Sequence, residues 1–306
     1  MKKILFISIL ALSSLFAQAQ QEVMVSQYMF NGLFINPAYA GSHKYFSGSL
    51  LHRNQWVSFD GAPKTFLVAF DGPIANEKMG LGFIVANDQI GVTSQTDINA
   101  NYSYNIKLGT GKLAFGLKGG ISNYSAKTEE LKVWDEDDAI LSEDKQSKWV
   151  PKFGFGMYYH SEKWYAGISI PTLLAYENGN SFNVNIDQSS FLRKHFLING
   201  GYVFEINDKL KLKPSTLIKY VKAAPVEVDI NCSILYDETI WFGISYRTND
   251  AVVGIIEYQA NKRFRIGYSY DFTLTEIGNY SSGSHEIMIG YDFGKDLINV
   301  KTPRFF

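Results

Sequence analysis

The sequence has one cysteine, few charges and few prolines, and these scarcities exclude several classes of protein. A single cysteine, Cys232, cannot form an internal disulfide, so the chain is not a disulfide-framed secreted domain. Only 19% of the 306 residues are charged, which is low for a soluble protein, and the net charge of −1 does not indicate a nucleic acid partner. The 8 prolines are too few for a disordered chain. Beyond the N-terminus, no apolar run approaches the ~20 residues of a membrane-spanning helix.

Aromatic residues are abundant, and many lie in short runs where apolar and polar side chains alternate. Phe, Tyr and Trp make up 15% of the chain. In the run 263–272, the two kinds of side chain fall on opposite faces of a strand. A soluble sandwich would bury the oily face in a core, whereas a membrane barrel would turn it to lipid and line a wet lumen with the polar face. The oily positions are Phe264, Ile266, Tyr268, Tyr270 and Phe272; the polar ones are Arg263, Arg265, Gly267, Ser269 and Asp271.

Runs of this kind recur about fourteen times between residues 45 and 294. Several are long enough to cross a membrane as tilted strands, which takes ~9–11 residues, and short connections alternate with long ones as in outer-membrane barrels. A soluble periplasmic β-sandwich would need far fewer outward-facing aromatics. The sequence therefore predicts an all-β fold, a transmembrane antiparallel β-barrel of about 14 strands with an N-terminal plug-like segment. The predicted strands are 45–57, 63–71, 78–87, 93–107, 112–124, 151–160, 163–170, 192–206, 209–222, 225–237, 239–248, 251–259, 262–273 and 284–294.

The two ends of the chain lie outside the predicted barrel of residues 45–294. Residues 1–19 read as a cleaved signal peptide, with two lysines, an apolar run and an A-x-A site, although a short anchor is the alternative. With the predicted barrel, this signal peptide leads us to expect export of the protein to the bacterial outer membrane. Residues 20–44 are rich in Tyr, Phe and Met, yet Pro37 prevents a central strand, so we expect them in the lumen or at the periplasmic rim. Residues 295–306 are predicted to be a periplasmic tail.

No catalytic or cofactor motif is present in the sequence. It has no zinc-protease helix motif, no nucleophile elbow, no phosphate-binding glycine loop and no paired cysteines, and its five histidines are scattered. We therefore expect no enzyme activity, no metal and no cofactor. The long connection 125–149 is acidic, so it could bind calcium or form a docking patch for a basic partner. Its carboxylates lack the spacing of an EF-hand, and a solvated surface loop is the alternative. A second long connection, 171–191, is expected to be exposed.

A set of short motifs, spread in order over nearly the whole mature chain, resembles the PorP/SprF family of type IX secretion system outer-membrane proteins. The resemblance implies an outer-membrane β-barrel in contact with lipid, which serves secretion and, in some members, gliding motility or the display of adhesins. It also implies a periplasmic, peptidoglycan-linked type IX component and a secreted protein with a C-terminal sorting domain as partners, and no enzyme. The motifs are Gln27-Tyr28-Met29, Asn36-Pro37-Ala38-Tyr39-Ala40-Gly41, Arg53-Asn54-Gln55-Trp56, Gly61-Ala62-Pro63-Lys64-Thr65, Gly267-Tyr268-Ser269-Tyr270-Asp271, Gly283-Ser284-His285-Glu286 and Pro303-Arg304-Phe305-Phe306.

Residues from these motifs are the candidates for plug packing or for contact with a partner. Arg53, Gln55, Arg263, Arg265 and Asp271 are expected to point into the lumen, where Arg53 would hold the N-terminal segment by a charged hydrogen bond or grip a passenger. The last three residues would dock a periplasmic partner or fold back on the barrel rim. The full candidate set is Tyr28, Asn36, Pro37, Ala38, Gly41, Arg53, Gln55, Trp56, Tyr270, Asp271, His285, Glu286, Arg304, Phe305 and Phe306.

A plugged outer-membrane transporter for small hydrophobic molecules is the alternative function. It shares the strand count and the apolar N-terminal segment. The lumen distinguishes the two, because a transporter needs a continuous path or an apolar pocket of ligand size.

Overall fold

The computed structural model describes residues 24–127, 148–175, 194–222 and 224–294. The predicted signal peptide, most of the two long connections and the predicted tail lie outside this part of the chain. Consecutive strands pair antiparallel, and the last strand pairs with the first, so the sheet closes on itself. The strands are β1 Phe46–Asn54, β2 Lys64–Ile74, β3 Met79–Ile90, β4 Thr93–Leu108, β5 Gly111–Ala126, β6 Lys148–His160, β7 Trp164–Ala175, β8 His195–Tyr202, β9 Phe204–Asn207, β10 Leu210–Val221, β11 Glu227–Tyr236, β12 Ile240–Arg247, β13 Ala251–Gln259, β14 Phe264–Thr273 and β15 Ser284–Phe293.

The fold is a closed antiparallel barrel of fourteen strands, as the sequence predicted. The fifteen strands reduce to fourteen because β8 and β9 are two parts of one interrupted strand, both paired with β10. The interruption is Val203, which is buried and donates its N–H to the Lys163 carbonyl at 2.7 Å. No helix in the described part of the chain is long and apolar enough to cross a membrane.

The two long connections are shorter than predicted. β5 and β6 extend into the predicted interruption 125–149, and β7 continues to Ala175, within the predicted connection 171–191. Pro171 has no N–H to donate, but the register of β6 against β7 shifts between Phe153 and Phe155, and this irregularity lets a proline sit within a paired strand.

The apolar face of the barrel wall points outward, which confirms the predicted orientation of the strands. Along β14, exposed Ile266, Tyr268 and Phe272 alternate with buried Arg265 and Asp271. The same alternation holds in β11, where the sole cysteine lies on the outer face between two exposed isoleucines. An outer wall of large apolar side chains is the surface that lipid requires.

Connections of different length separate the two ends of the barrel. One end, here called the short-turn end, has the connections 75–78, 109–110, 161–163, 208–209, 237–239 and 260–263. The opposite, long-connection end has the connections 55–63, 91–92, 127–147, 176–194, 222–226, 248–250 and 274–283. In outer-membrane barrels the short turns face the periplasm, so this asymmetry orients the protein.

Residues 24–44, here called the interior segment, lie inside the barrel. The segment contains three single-turn 3-10 helices, Tyr28–Phe30, Gly32–Phe34 and Pro37–Tyr39. Asn36 caps the third helix by accepting the Ala38 N–H, and Pro37 occupies the first helical position, where no donor is needed. The segment runs antiparallel to β1, from the long-connection end to the short-turn end, because its start lies beside the end of β1. That residues 20–44 block the barrel stays a prediction.

A pair of substitutions at two depths on the outer face of β11 tests whether that face meets lipid. Ile230 is 58% exposed at mid-strand, and Val226 lies on the same face just before the strand begins. Ile230→Arg should lower the free energy of unfolding by ~2–4 kcal/mol, since an arginine at the bilayer midplane is costly, whereas Val226→Arg near the interface should cost ~0–1 kcal/mol. Urea unfolding from lipid vesicles measures both, and equal costs would contradict the assigned orientation.

Candidate functional site

A cluster of buried charges holds the start of the interior segment near the long-connection end. This lumen cluster comprises Arg53 on β1, Arg247 on β12, Asp271 on β14, Glu286 on β15 and the hydroxyl of Ser26. Arg53 donates from Nη2 to Asp271 Oδ2 at 2.8 Å and lies 3.3 Å from Glu286 Oε2. Arg247 Nη1 lies 3.4 Å from Asp271 Oδ2. Arg247 also pairs with Asp229 at 3.6 Å and with Asp250 at 3.0 Å, so each charge of the cluster has a partner of opposite sign.

The interior segment completes the hydrogen bonding of this cluster. Glu286 accepts two successive backbone N–H groups, from Ser26 at 2.9 Å and from Gln27 at 2.8 Å. The Ser26 hydroxyl donates to Asp271 and accepts from Arg53 at 2.9 Å and from Arg247 at 3.2 Å. Charge-assisted hydrogen bonds of this kind are the strong ones. Arg53 therefore contacts the segment through a charge-assisted hydrogen bond, and its role in holding the segment stays a prediction.

Strand register explains why these residues meet. Arg53 and Glu286 are directly opposite each other across the β1–β15 pairing, which joins the first and last strands of the barrel. Both lie on the inward face, and they are 3% and 0% exposed. Such desolvated charges are stable only when each is paired and hydrogen-bonded.

Further along, the segment bonds to strands on other sides of the barrel. The Asn36 amide donates to the carbonyls of Met157 at 2.9 Å and Ile168 at 3.3 Å, on β6 and β7. The Gly41 N–H donates to Asp71 on β2 at 3.0 Å. Lys213 on β10 donates to the Met29 carbonyl at 3.0 Å. These contacts fix the segment along its whole length and not only at its charged start.

Three aromatic rings surround the ammonium group of Lys213. It lies 5.5 Å from the centre of the Trp241 ring and 5.9 Å from those of Phe30 and Tyr165. A desolvated cation over an aromatic face is worth about 2 kcal/mol or more. Because Phe30 belongs to the segment, this contact also ties the segment to the wall.

Inward-facing glycines in the wall leave room for the segment backbone. A Cβ at Gly80 would lie 2.0 Å from the Ala40 carbonyl oxygen, and one at Gly116 would lie 2.1 Å from the Ala38 nitrogen. A Cβ at Gly156 would lie 2.1 Å from the Asn36 side-chain oxygen. Any larger residue at these positions would collide with the segment, so wall and segment are fitted to each other.

The predicted candidates fall into four groups. The lumen cluster holds Arg53, Asp271 and Glu286, and the buried part of the interior segment holds Tyr28, Asn36, Pro37, Ala38 and Gly41. Near the long-connection end are Gln55 and Trp56, which follow β1, and Tyr270 and His285, whose rings contact each other on the outer face. Arg304, Phe305 and Phe306 lie outside the described residues.

Two residues expected in the lumen are not there, and three important ones were missed. Gln55 lies beyond the end of β1, and Arg263 is exposed in the turn 260–263. Gln55 misses the lumen because β1 ends before it, and Arg263 misses it because β14 begins only after it. The missed residues are Ser26, Lys213 and Arg247. Arg247 could have been found, since it follows the outward Tyr246 in the alternation of β12.

Removing Arg53 should loosen the start of the segment. Arg53→Met leaves Asp271 and Glu286 short of a buried partner, which should lower the free energy of unfolding by ~3–5 kcal/mol. The matched control is Lys112→Met, which breaks the half-exposed 2.7 Å pair with Glu77 and should cost ~0–1 kcal/mol. Hydrogen exchange of the Ser26 and Gln27 amides should accelerate only in the first variant. Equal protection in both variants would show that Arg53 does not hold the segment.

A second prediction concerns the fit between segment and wall. Gly116→Ala places a methyl group against the Ala38 backbone and should destabilise the protein by ~1–3 kcal/mol through overpacking. Gly119→Ala on the same strand is the control, because a Cβ there meets only the Phe153 ring at 3.9 Å. Thermal unfolding in vesicles should separate the two variants, and identical behaviour would argue against a fitted segment.

The barrel is similar in fold to solved outer-membrane barrels. The Ralstonia pickettii toluene transporter TbuX is 9% identical, with a TM-score of 0.50 over 85% of this chain and 92% of that one. The Acinetobacter baumannii outer membrane protein Omp33 is 8% identical, with a TM-score of 0.48 over 83% of this chain and 100% of that one. A Pseudomonas aeruginosa FadL homologue is 10% identical, with a TM-score of 0.46 over 85% and 93%. At these identities the likeness concerns the fold alone. No curated protein sequence matches the chain.

A family model gives the decisive comparison. The model described as type IX secretion system membrane protein PorP/SprF matches residues 17–291, which includes the interior segment and fourteen of the strands in full. With the closed barrel and its apolar outer wall, this match places the protein in the outer membrane as a barrel associated with type IX secretion. The chain belongs to the PorP/SprF family of type IX secretion system membrane proteins.

Proposed function

We propose that this protein is a non-enzymatic adaptor of the type IX secretion system. It supports the secretion or surface attachment of a protein that carries a C-terminal sorting domain, including gliding adhesins, and its own lumen is closed by the interior segment. The observation that carries the proposal is the way the segment is held. Its hydrogen-bond partners lie on strands β1, β2, β4, β6, β7, β10, β12, β14 and β15.

A closed lumen leaves the surfaces at the two ends of the barrel for recognition. A secreted protein passing through this barrel would have to displace a segment that is bonded around the wall. An adaptor needs no such movement, because its partners bind outside. We therefore assign contact with the secreted protein to the long-connection end and contact with a periplasmic, peptidoglycan-linked component to the short-turn end. The signal peptide, residues 1–19, would be cleaved on export.

The transporter is the second candidate function, and the fold of TbuX favours it. A transporter for small hydrophobic molecules would use the interior segment as a hatch that moves. The lumen cluster opposes such movement, because withdrawing Ser26 and Gln27 would remove the hydrogen-bond donors that the segment supplies to Glu286 and Asp271. An adaptor whose segment stays in place does not incur this loss of hydrogen bonds, whereas a transporter would incur it in each transport cycle.

Deleting the gene tests the proposed function. In the deletion strain, one protein with a sorting domain should remain unexported or unattached, while other type IX substrates still reach the surface. Quantitative proteomics of the surface and medium measures this, and re-expression of the wild-type gene is the control. If the surface proteome is unchanged and uptake of a hydrophobic nutrient fails, the transporter function replaces the adaptor.

A disulfide between segment and wall tests whether the lumen must open. An ideal Cβ at Gly82 lies 3.3 Å from the Ala40 Cβ, slightly below the ~3.5–4.5 Å of a disulfide, and 2.9 Å from Leu33 Cδ1, a side-chain end that can shift. Ala40→Cys with Gly82→Cys, in a Cys232→Ser background, should lock the segment, and the adaptor function predicts undiminished secretion.

The control is each single cysteine variant, and non-reducing gel mobility reports the cross-link. Secretion that stops in the locked protein and returns on reduction would show that the segment moves, and would contradict a permanently closed lumen.

A further inference from the structure

The charged residues at the short-turn end divide into a basic half and an acidic half. Among charged residues that are exposed or half-exposed, the stretch from the β13–β14 turn through β1 to the β4–β5 turn carries six basic residues and one acid. The remaining stretch, from the β6–β7 turn to the β11–β12 turn, carries three basic residues and five acids. The first set is Lys262, Arg263, Lys44, Lys78, Lys107 and Lys112 with Glu77; the second is Lys163, Lys209 and Lys211 with Glu162, Glu205, Asp208, Asp237 and Glu238.

Within the basic half, the single acid is already neutralised. Glu77 lies 2.7 Å from Lys112, and the hydrogen bond from that lysine lowers the pKa of Glu77. The turn carrying Glu77 is tied to β4, since its carbonyl accepts from the Asn105 amide at 3.1 Å. Exposed Lys78 and Lys107 have no acidic partner within the described part of the chain. The basic half therefore carries an uncompensated positive charge, and a hydrogen bond holds its β2–β3 turn to β4.

The alternation of strand side chains directs Lys78 and Lys107 over the barrel mouth and away from lipid. Lys107 shares the inward parity of Asn105 on β4, and it lies directly opposite Lys112 on β5. Lys78 shares the inward parity of Gly80 on β3. Headgroups of the bilayer surround the outer wall, so they meet the opposite face of these strands.

Two other occupants are excluded by geometry and charge. A second copy in the same membrane points its short-turn end in the same direction, so its acidic half cannot stack on this basic half. The chain that follows β15 contains Lys295, Asp296, Lys301 and Arg304, so its charge is the same sign as that of the basic half. An acidic protein on the periplasmic side is complementary in both charge and position.

We propose that the basic half of the short-turn end binds an acidic surface of a periplasmic protein. The inference rests on the proposed function, and it specifies the chemistry of the periplasmic partner. The acidic half then orients that partner, since a partner turned around would place like charges together. Such a contact associates rapidly and weakens with salt.

Charge reversal tests the binding surface directly. The full chain in nanodiscs of neutral lipid should bind a fluorescent deca-glutamate peptide, measured by anisotropy at low salt. The triple variant Lys44→Glu, Lys78→Glu, Lys107→Glu should bind roughly tenfold or more weakly, a difference that shrinks in 0.5 M salt. The control is Lys64→Glu, Lys163→Glu, Lys209→Glu, which changes the net charge equally and should bind within about twofold of the unmodified chain.

Three outcomes would overturn the proposal. They are an absence of peptide binding by the unmodified chain, equal loss in both triple variants, and, in nanodiscs of anionic lipid, peptide binding by the unmodified chain no stronger than that of the Lys44, Lys78, Lys107 variant in the same nanodiscs. The last would show that lipid headgroups occupy the basic half.

Secretion in cells separates this inference from the proposed function. The Lys44, Lys78, Lys107 variant should lower export of the sorting-domain protein toward the level of the gene deletion, and the control triple variant should not. If the variant exports normally while the gene deletion does not, the basic half is not the docking surface and the adaptor function stands. If the gene deletion itself exports normally, the adaptor function fails.

Discussion

The interaction on which the rest of the structure depends is the pairing of Arg53 with Asp271 and Glu286 around the Ser26 hydroxyl. Arg53 and Glu286 face each other at the seam where the first and last strands meet. The barrel is closed by the same residues that hold the interior segment. A slip of one residue in this register would turn the charge on one of the two strands toward lipid and leave the other without its partner. The register of the closing pair and the position of the segment are therefore linked.

Charge in the lumen and apolar surface on the wall arise from one alternating pattern. On β14, the residues that meet lipid and the residues that pair in the lumen are neighbours in sequence. When the apolar side chains of the strand turn to lipid, its charged side chains therefore turn into the lumen. The wall also carries ion pairs away from the segment, such as Lys152 with Asp97 at 2.8 Å and Arg265 with Asp292 at 2.9 Å. Closing the barrel gives the strand backbones the hydrogen-bond partners that lipid cannot supply, and these ion pairs give the buried charged side chains partners of opposite sign.

The sequence predicted the local features well and the long-range ones incompletely. Alternation identified the strand number, the outward faces and the burial of Arg53, because each is a property of neighbouring residues. The partners of Arg53 were harder to name, because Ser26 and Arg247 reach it only when the barrel closes and the segment enters it. Gln55 was misplaced because alternation does not show where a strand ends. The space that Gly80 and Gly116 leave for the Ala38–Ala40 backbone is also a long-range feature, which alternation along one strand does not show.

The central claim is that the interior segment closes the lumen of an adaptor barrel. The most direct test is single-channel conductance of the full chain in a planar bilayer, compared with a variant lacking residues 24–41. The account predicts little conductance from the full chain and large, stable openings from the shortened one. Steady porin-like conductance of the full chain, unchanged by the deletion, would contradict it.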